Sequence, residues 1–397
     1  MNKTITILVT ALLMTALPMS AQKKELSDAR SILKTRANYD KAEKLMTDLI
    51  KKDTIHLYNP KVLLTWYESV LGQYEAANEK LYLKQKYDTV AFYTVIRRLQ
   101  QVGLKLDSLE IRLDGKGKAA HRKSHGDYLN MLRPNLYFGG TYLVRKGDYR
   151  KAFDFFDTYI KAADEPMFET YHYVSNDTLL PVAAYWATLC GFKLQDPQLT
   201  LTHCHEALHD SQKAQFTLQY MCEAYQQQKD TPRYVATLTE GFSRFPDYPY
   251  FFPRLADYYT SQSRTDSVLM VADQGLKHDP KGRLFLLAKS VALLDLERYD
   301  ECISTSQQLM ECYPEQPESY YNIATCHLNR ALVVEQENEP RKNREKLQKL
   351  YGDARPMMEK YRELAPADQQ RWAPALYRIY LNLNMGKQFE EIDRLMR

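Results

Sequence analysis

Residues 234–314 read YVATLTEGFSRFP (234–246), DYPYFFPRLADYYTSQSRTDSVLMVADQGLKHDP (247–280) and KGRLFLLAKSVALLDLERYDECISTSQQLMECYP (281–314), and each segment ends in a proline. Pro246, Pro280 and Pro314 are spaced 34 residues apart. A fixed period of this length indicates a repeat architecture. Proline ends a helix because it lacks the N–H group and its ring clashes with the preceding turn. The spacing therefore predicts a helix end at the same point of each repeat.

The three segments also share a pattern of large and small residues at helical spacing. In the second segment, Phe252, Leu255 and Tyr259 mark a first helix, and the small Ala256 lies between them. Two antiparallel helices that cross closely need small residues at the crossing and larger apolar residues three or four positions away. The small residues predicted at the crossings of the second helices are Gly241, Gly275 and Cys302.

The same periodicity continues on both sides of this stretch. Helix pairs are predicted over residues 26–52, 134–164, 179–209, 320–366 and 372–396. Residues 60–113 predict a pair of unusually long helices. Residues 165–178 are extra, and we expect a connecting loop with a short helical segment there. Pro314 and Pro366 lie 52 residues apart instead of 34, so 18 residues are inserted, and we expect residues 335–350 to form helix extensions around an exposed turn.

From Pro134 to Arg397 the chain resembles tetratricopeptide-repeat (TPR) proteins, and residues 26–113 resemble them less specifically. That family's pattern is W-x2-L-G-x2-Y on a first helix, then A-x3-F and a closing proline on a second. With its early long helices and its later insert, the chain is similar to exported repeat proteins of the Bacteroidetes type. The resemblance implies an all-α superhelical solenoid of antiparallel helix pairs. It also implies a groove for peptides or partner proteins, no catalysis and no cofactor.

In this family the first helices line the groove. Transferring that register gives a candidate partner groove made of Tyr250, Arg254, Asp257, Leu287, Val291, Tyr321, Asn322 and Asn329. Arg254 and Asn322 suit such a groove chemically. The full set of Lys, Asn and Arg that forms the family's carboxylate clamp is incomplete here, so a C-terminal chaperone peptide is not the expected ligand.

The N-terminus is predicted to be a signal peptide. Lys3 supplies a positive start, Ile5 to Leu17 form a mostly apolar run, and Pro18 ends it. Small residues then precede a polar chain, which predicts cleavage near Ala21. A run this short suits a signal better than a membrane span. We therefore expect an exported, periplasmic or envelope-associated protein without a transmembrane segment in the mature chain.

Charge and cysteine usage narrow the possible functions further. The formal net charge of +4 is too small to predict nucleic acid as a partner. Six cysteines have no disulfide-framework spacing and no C-x-x-C pair, so we expect buried free thiols. Lys116, Lys118, His121, Arg122, Lys123 and His125 form a basic cluster, which predicts a solvated helix start or, alternatively, a site for an acidic partner.

One segment offers an alternative based on metal chemistry. Residues 205–209 read H-E-x-x-H, the pattern in which two histidines one helical turn apart bind zinc and the glutamate activates a water. The competing interpretation is that Ala207 and Leu208 pack as part of a second helix, while Glu206 and His209 point outward. We expect neither a catalytic site nor a metal site here, and the zinc peptidase of His205, Glu206 and His209 remains the alternative.

The sequence thus predicts three parts: a signal peptide at 1–21, an N-terminal helical region at 22–113, and a TPR solenoid at 114–397 with its insertion at 335–350. The predicted function is a non-catalytic scaffold that binds a protein or peptide. A self-associating structural subunit is the third interpretation.

Overall fold

The computed structural model describes residues 23–114, 119–337 and 340–397. Within these ranges the chain forms helices and no strand, which confirms the predicted all-α fold. The predicted signal peptide lies outside the described residues. No helix in the described ranges combines the length and the apolar composition that crossing a membrane requires.

The chain divides into two compact units, with the boundary between Tyr234 and Val235. We call the described residues up to Tyr234 the N-terminal unit and Val235–Arg397 the C-terminal unit. The boundary lies within α13. The helices begin with α1 (23–34), α2 (Tyr39–Lys52), α3 (Pro60–Tyr82), α4 (Thr89–Asp114), α5 (Arg122–Leu132), α6 (Pro134–Arg145), α7 (Tyr149–Lys161), α8 (Tyr173–Asn176), α9 (Leu180–Lys193), α10 (Pro197–Thr202), α11 (Cys204–Ala207), α12 (Ala214–Gln227) and α13 (Thr231–Arg244). They continue with α14 (Phe251–Ser261), α15 (Thr265–His278), α16 (Arg283–Asp295), α17 (Tyr299–Cys312), α18 (Pro317–Gln336), α19 (Pro340–Leu364), α20 (Gln369–Asn382) and α21 (Gly386–Met396).

Consecutive helices form hairpins that cross closely at small residues. A three-residue turn joins α6 to α7, and a turn this short makes the two helices antiparallel. Phe155 and Phe156 of α7 lie against Gly139 and Gly140 of α6, where any side chain would collide with the rings. The same arrangement recurs at Gly241, whose missing side chain leaves space for the ring of Phe251. The helix-crossing pattern predicted from the sequence is therefore confirmed.

The turns inside the hairpins share one backbone shape. After the first helix of each of seven hairpins, one residue adopts a positive φ between 52° and 76°. The amide of the following residue then donates to the carbonyl oxygen five residues earlier, at 2.9–3.0 Å. This is the Schellman motif, which satisfies the carbonyl groups left free at a helix end. The seven left-handed residues are Lys84, Gly147, Gln195, Lys229, Ser263, Glu297 and Asn384.

The predicted pair of long helices is confirmed by α3 and α4, which have 23 and 26 residues. The predicted boundary near residue 113 falls at the C-terminal end of α4. α4 packs against α5, α6 and α7, and its side chains belong to the same apolar core as theirs. The division at Tyr234 lies far beyond that point.

The extra segment, residues 165–178, is better ordered than a simple connection. It forms a 3-10 helix (Pro166–Tyr171) followed by the short α8. Met167, Phe168 and Tyr173 are buried in the core of the N-terminal unit. The predicted short helical segment is therefore present, and its apolar side chains fix it to the body of the unit.

The insertion near residue 340 lengthens a hairpin of the C-terminal unit. α18 and α19 have 20 and 25 residues, whereas α16 and α17 have 13 and 14. This confirms the predicted helix extensions. Residues 338–339, between the two helices, lie outside the described residues.

Candidate functional site

The first helices of the hairpins in the C-terminal unit lie side by side. The rings of Phe252 on α14 and Phe285 on α16 are 4.6 Å apart between centroids. The Asn322 amide on α18 donates to the Ser290 hydroxyl on α16, with 2.9 Å between Nδ2 and Oγ. The Arg371 guanidinium on α20 lies 3.8 Å from the centroid of the Tyr321 ring on α18. These contacts join the four helices in one row.

α16 carries an apolar stripe in the middle of this row. Leu284 is 45% exposed and Val291 is 40% exposed. Leu287 lies between them and is half-buried. Because the three residues are spaced three and four positions apart, they share one face of the helix. We call Leu284, Leu287 and Val291 the α16 stripe. Leu287 and Val291 were predicted from the repeat register, whereas Leu284 was missed although it lies one turn earlier on the same face.

On the α14 side of the stripe, the structure provides charge. Arg254 and Asp257 are both exposed and lie one turn apart. The Arg254 guanidinium stacks 3.7 Å from the centroid of the Tyr250 ring, and its Nη1 donates to the Tyr250 carbonyl oxygen at 3.1 Å. The buried Tyr250 therefore positions Arg254 and is not itself available to a ligand.

On the α18 side, the predicted residues have different roles. Tyr321 is half-buried, covered by Arg371 on one side and 5.0 Å from the Tyr361 ring. Asn329 is also half-buried. Both retain surface that a ligand can reach, while Arg371 was not anticipated because it comes from a different repeat.

The prediction that Asn322 lines the groove is wrong. Its side chain is only 2% exposed, and its amide is used in the bond to Ser290. A buried amide needs such a partner because an unsatisfied polar group is costly away from water. Asn322 joins two first helices from inside the unit.

Lys289 is a half-buried lysine on α16, and its ion pair explains its place there. Its Nζ lies 2.8 Å from an oxygen of Asp273 on α15. The lysine therefore links the first helix of one hairpin to the preceding second helix. It is not part of the α16 stripe.

The H-E-x-x-H segment lacks the helical geometry that zinc binding requires. The predicted second helix at 199–209 is broken into α10 and α11, and α11 ends at Ala207, so His209 lies in the turn beyond it. Ala207 is fully buried while His209 is exposed, as the packing interpretation predicted. Among the residues that the structure describes, no group of three or more His, Cys, Asp or Glu side chains could hold a metal ion.

The break between α10 and α11 occurs at His203, which reaches across to α7. Its Nε2 lies 2.8 Å from Oδ1 of Asp157. Burial opposes ionisation of the Asp157 carboxyl, but hydrogen bonds from His203 and Lys161 hold its pKa below the usual range. The histidine next to the motif thus makes a structural hydrogen bond.

Three residues of the basic cluster, His121, Arg122 and His125, are half-buried against other side chains of the chain, whereas Lys123 is exposed. Arg122 binds Asp107 through two hydrogen bonds of 2.8 and 2.9 Å, and Asp107 is buried on α4. Nδ1 of His121 lies 2.5 Å from Glu110, also on α4. His125 stacks on the Tyr67 ring at 4.1 Å between centroids. The acidic groups that this cluster binds belong to the chain itself; Lys116 and Lys118 lie outside the described residues.

The cysteines are free, and five of the six are buried. Burial raises the pKa of Cys190 to about 12 and that of Cys204 to about 11. Thiols held protonated in apolar surroundings are poor nucleophiles. These cysteines therefore contribute packing volume, in agreement with the prediction of free thiols.

Neither a family model nor a curated protein matches this chain. Among solved structures, it is similar to the C-terminal part of a TPR repeat-containing protein from Cytophaga hutchinsonii, with 13% identity, 64% of this chain and 92% of that chain covered, and a TM-score of 0.41. It is also similar to YrrB, described as a TPR protein with an unusual peptide-binding site, with 13% identity, coverage of 50% and 92%, and a TM-score of 0.33. It is similar as well to the TPR domain of P58(IPK), with 13% identity, 92% of this chain and 98% of that chain covered, and a TM-score of 0.27.

Proposed function

We propose that this chain is a non-catalytic scaffold that binds a peptide segment of a partner protein along the first helices of its C-terminal unit. The observation that carries the proposal is the α16 stripe, which leaves leucine and valine side chains exposed between two charged flanks. Burying one such side chain against a ligand contributes about 1.5–3 kcal/mol. Scattered surface apolar residues need no explanation, but three on one face in a row of aligned helices support the proposal of a binding surface there.

The flanks define the chemistry of the expected peptide. Arg254 is held by Tyr250 and can pair with an acidic side chain, while Asp257 can pair with a basic one. On the other side, the Tyr321 ring and Arg371 offer a mixed aromatic and cationic surface. We therefore expect a peptide with adjacent apolar residues that bind the α16 stripe. On the side facing α14, this peptide carries one acidic residue for Arg254 and one basic residue for Asp257.

Panning a displayed random-peptide library against the purified chain tests this proposal. We expect enriched peptides with an apolar centre, and their Kd can be measured by fluorescence anisotropy. Replacing Leu284→Glu and Val291→Glu together should weaken binding at least tenfold, because each buried carboxylate must lose its hydration. Met270 on α15 is 60% exposed, so Met270→Glu is the matched control and should leave the Kd unchanged.

Two results would contradict the proposal. One is a library that yields no binding peptide. The other is a set of peptides that bind the Leu284→Glu, Val291→Glu variant as tightly as the original chain.

The proposed location is the bacterial envelope, reached by export. The support is the N-terminal sequence with Lys3, the apolar run from Ile5 to Leu17, and small residues up to Ala21. Expression of the full chain in a bacterial host, followed by mass measurement of the periplasmic product, tests this. Loss of about the first 21 residues is expected, and an uncleaved product in the cytoplasm would contradict it.

A further inference from the structure

The hairpin of α3 and α4 extends beyond the helices that pack against it. α3 has 23 residues and a length of roughly 35 Å, whereas α2 has 14 residues and spans about 21 Å. α2 begins at Tyr39, whose ring lies against Gly72 of α3. On the other side, Gly139 of α6 meets α4 at Tyr93. In the part of the chain that the structure describes, nothing covers the end of the hairpin beyond these contacts, and every residue from 78 to 88 is exposed.

The uncovered end combines apolar and basic side chains. Tyr82 is 84% exposed and Leu83 is 54% exposed. The whole set, which we call the α3–α4 tip, is Lys80, Leu81, Tyr82, Leu83, Lys84, Gln85, Lys86 and Tyr87. It contains four large apolar or aromatic residues, three lysines and no acidic residue. None of the three lysines has an ion pair within the described ranges.

Acidic residues border the tip without neutralising its end. Glu79 precedes it and Asp88 follows it. The Asp88 carboxylate accepts hydrogen bonds from the amides of Val90 and Ala91, at 2.8 and 3.0 Å. It therefore serves as the cap at the start of α4, where a negative charge is favoured by the exposed amides of the helix.

We propose that the α3–α4 tip docks on the surface of an anionic lipid bilayer. Tyrosine and leucine side chains at a protruding end can enter the boundary between headgroups and acyl chains. The lysines bury their apolar stems there while their ammonium groups stay among the lipid phosphates. The tip thus combines apolar side chains that can enter the bilayer with lysines that can bind anionic headgroups.

The size and shape of the tip favour a membrane over a protein partner. A stable protein interface covers about 800 Å² on each partner, an area that needs 20–30 residues. A hairpin end of eight residues is smaller than that, but a bilayer requires no complementary shape. The proposal concerns a surface of the N-terminal unit and does not depend on the groove of the C-terminal unit.

Co-sedimentation of the full chain with phosphatidylcholine vesicles, prepared with and without phosphatidylglycerol, tests the proposal. We expect sedimentation with the anionic vesicles and much less with the neutral ones, and a decrease at high salt. The variant Lys80→Gln, Lys84→Gln, Lys86→Gln should bind about a hundredfold more weakly, because each lysine near an anionic surface contributes about fivefold. Tyr82→Ser with Leu83→Ser should also reduce binding.

Matched controls come from the same unit. Lys41, Lys44 and Lys51 are exposed on α2, so their triple change to Gln removes the same charge from another place. Val174 is 67% exposed, and Val174→Ser removes a comparable apolar side chain. Both controls should bind vesicles as the original chain does. A Tyr82→Trp variant reports insertion directly, through a blue shift of its fluorescence when anionic vesicles are added.

Three results would overturn the proposal. The first is an original chain that sediments with neither vesicle. The second is a loss of binding in the α2 lysine control equal to that in the tip variant. The third is a chain that ignores vesicles but forms a dimer, seen by light scattering, that Tyr82→Ser with Leu83→Ser abolishes, because the tip would then be a protein contact.

Discussion

Arg133 and Asp177 form a buried ion pair, with 2.5 Å between Nη1 and Oδ2. The exposed fractions of the two side chains are only 5% and 11%. The guanidinium lies between the rings of Tyr159 and Tyr173, 3.7 and 3.8 Å from their centroids, and the Tyr159 hydroxyl donates to the same Asp177 oxygen at 2.7 Å. The pair fastens the end of the extra segment to the junction of α5 and α6.

Removing either partner should be strongly destabilising. Arg133→Ala or Asp177→Asn leaves a charged group buried without its counter-ion, and the expected loss is about 3–5 kcal/mol in the free energy of unfolding. Urea denaturation followed by circular dichroism measures it. The exposed pair of Arg150 and Asp154 is the control, since Arg150→Ala should cost about 0–1 kcal/mol. Equal effects of Arg133→Ala and Arg150→Ala would contradict the assignment.

Two glycines should respond in opposite directions to the same substitution. A Cβ on Gly191 would lie 2.3 Å from the backbone nitrogen of Thr200, and the backbone of α10 cannot move aside without losing its packing. Gly191→Ala should therefore destabilise the protein by roughly 1–3 kcal/mol or more.

Gly352 is the matched position for that test. It lies inside α19, and a Cβ there meets nothing within 4 Å. Gly352→Ala should stabilise the protein by about 0.5–1 kcal/mol, because alanine loses less backbone freedom on entering a helix. Thermal melting of both variants checks the sign. A stabilising Gly191→Ala would show that α9 and α10 are not in close contact.

The Asn322 amide should be required for stability and not for ligand binding. Asn322→Ala removes its bond to Ser290 and should cost about 1–3 kcal/mol in the free energy of unfolding. Asn382 likewise donates a hydrogen bond, to the Arg378 carbonyl oxygen, but it is exposed, so Asn382→Ala should stay within about 0.5 kcal/mol of the original chain. Below its unfolding temperature, the Asn322→Ala variant should bind selected peptides with unchanged Kd. A stable variant with weakened binding would restore Asn322 to the groove.

Acid should weaken the N-terminal unit through His125. Burial and the neighbouring His121 lower the pKa of His125, while Glu110 and Asp107 act in the opposite direction and less strongly. The folded state thus prefers the neutral ring more than the unfolded state does. The resulting stability is present above the unfolded pKa of about 6.5 and is lost as the pH falls through the lowered pKa of the folded state.

The measurement is the melting temperature between neutral and mildly acidic pH. His125→Phe keeps an aromatic ring on Tyr67 but cannot titrate, so its melting temperature should fall less with acid than that of the original chain. His205→Gln changes an exposed histidine and should leave the slope as it was. If His125→Phe leaves the slope unchanged as well, His125 does not control the acid response.

Much of the fold could be predicted because its signals are local and periodic. The prolines recur at a fixed spacing of 34 residues, and small residues mark the helix crossings within each repeat. The structure places Gly241 and Gly275 against rings as expected. The long pair α3 and α4 followed from uninterrupted helical periodicity.

The interpretations that failed depend on contacts between distant residues. The Asn322 side chain is buried, and it donates a hydrogen bond to Ser290, which lies 32 residues earlier in the sequence. The helix carrying H-E-x-x-H is broken at His203, which pairs with Asp157 on another helix. From the sequence, Arg122 belongs to a basic cluster that is predicted to be solvated. In the structure it donates a hydrogen bond to Asp107, which lies on the preceding helix. Periodicity identifies which residues lie on a face, but not which polar partner occupies the space in front of it.

The seven Schellman turns also determine which residues the hairpin turns can accept. A positive φ is sterically unfavourable for any residue with a side chain, so glycine is the residue expected at these turns. Only one of the seven, Gly147, is a glycine; the others include Lys84, Gln195 and Glu297. The seven turns do not share a residue type. What they share is a positive φ and one hydrogen bond between backbone atoms. Each turn residue can therefore change in type and leave the hairpin closed, because the hydrogen bond that closes it joins backbone atoms only.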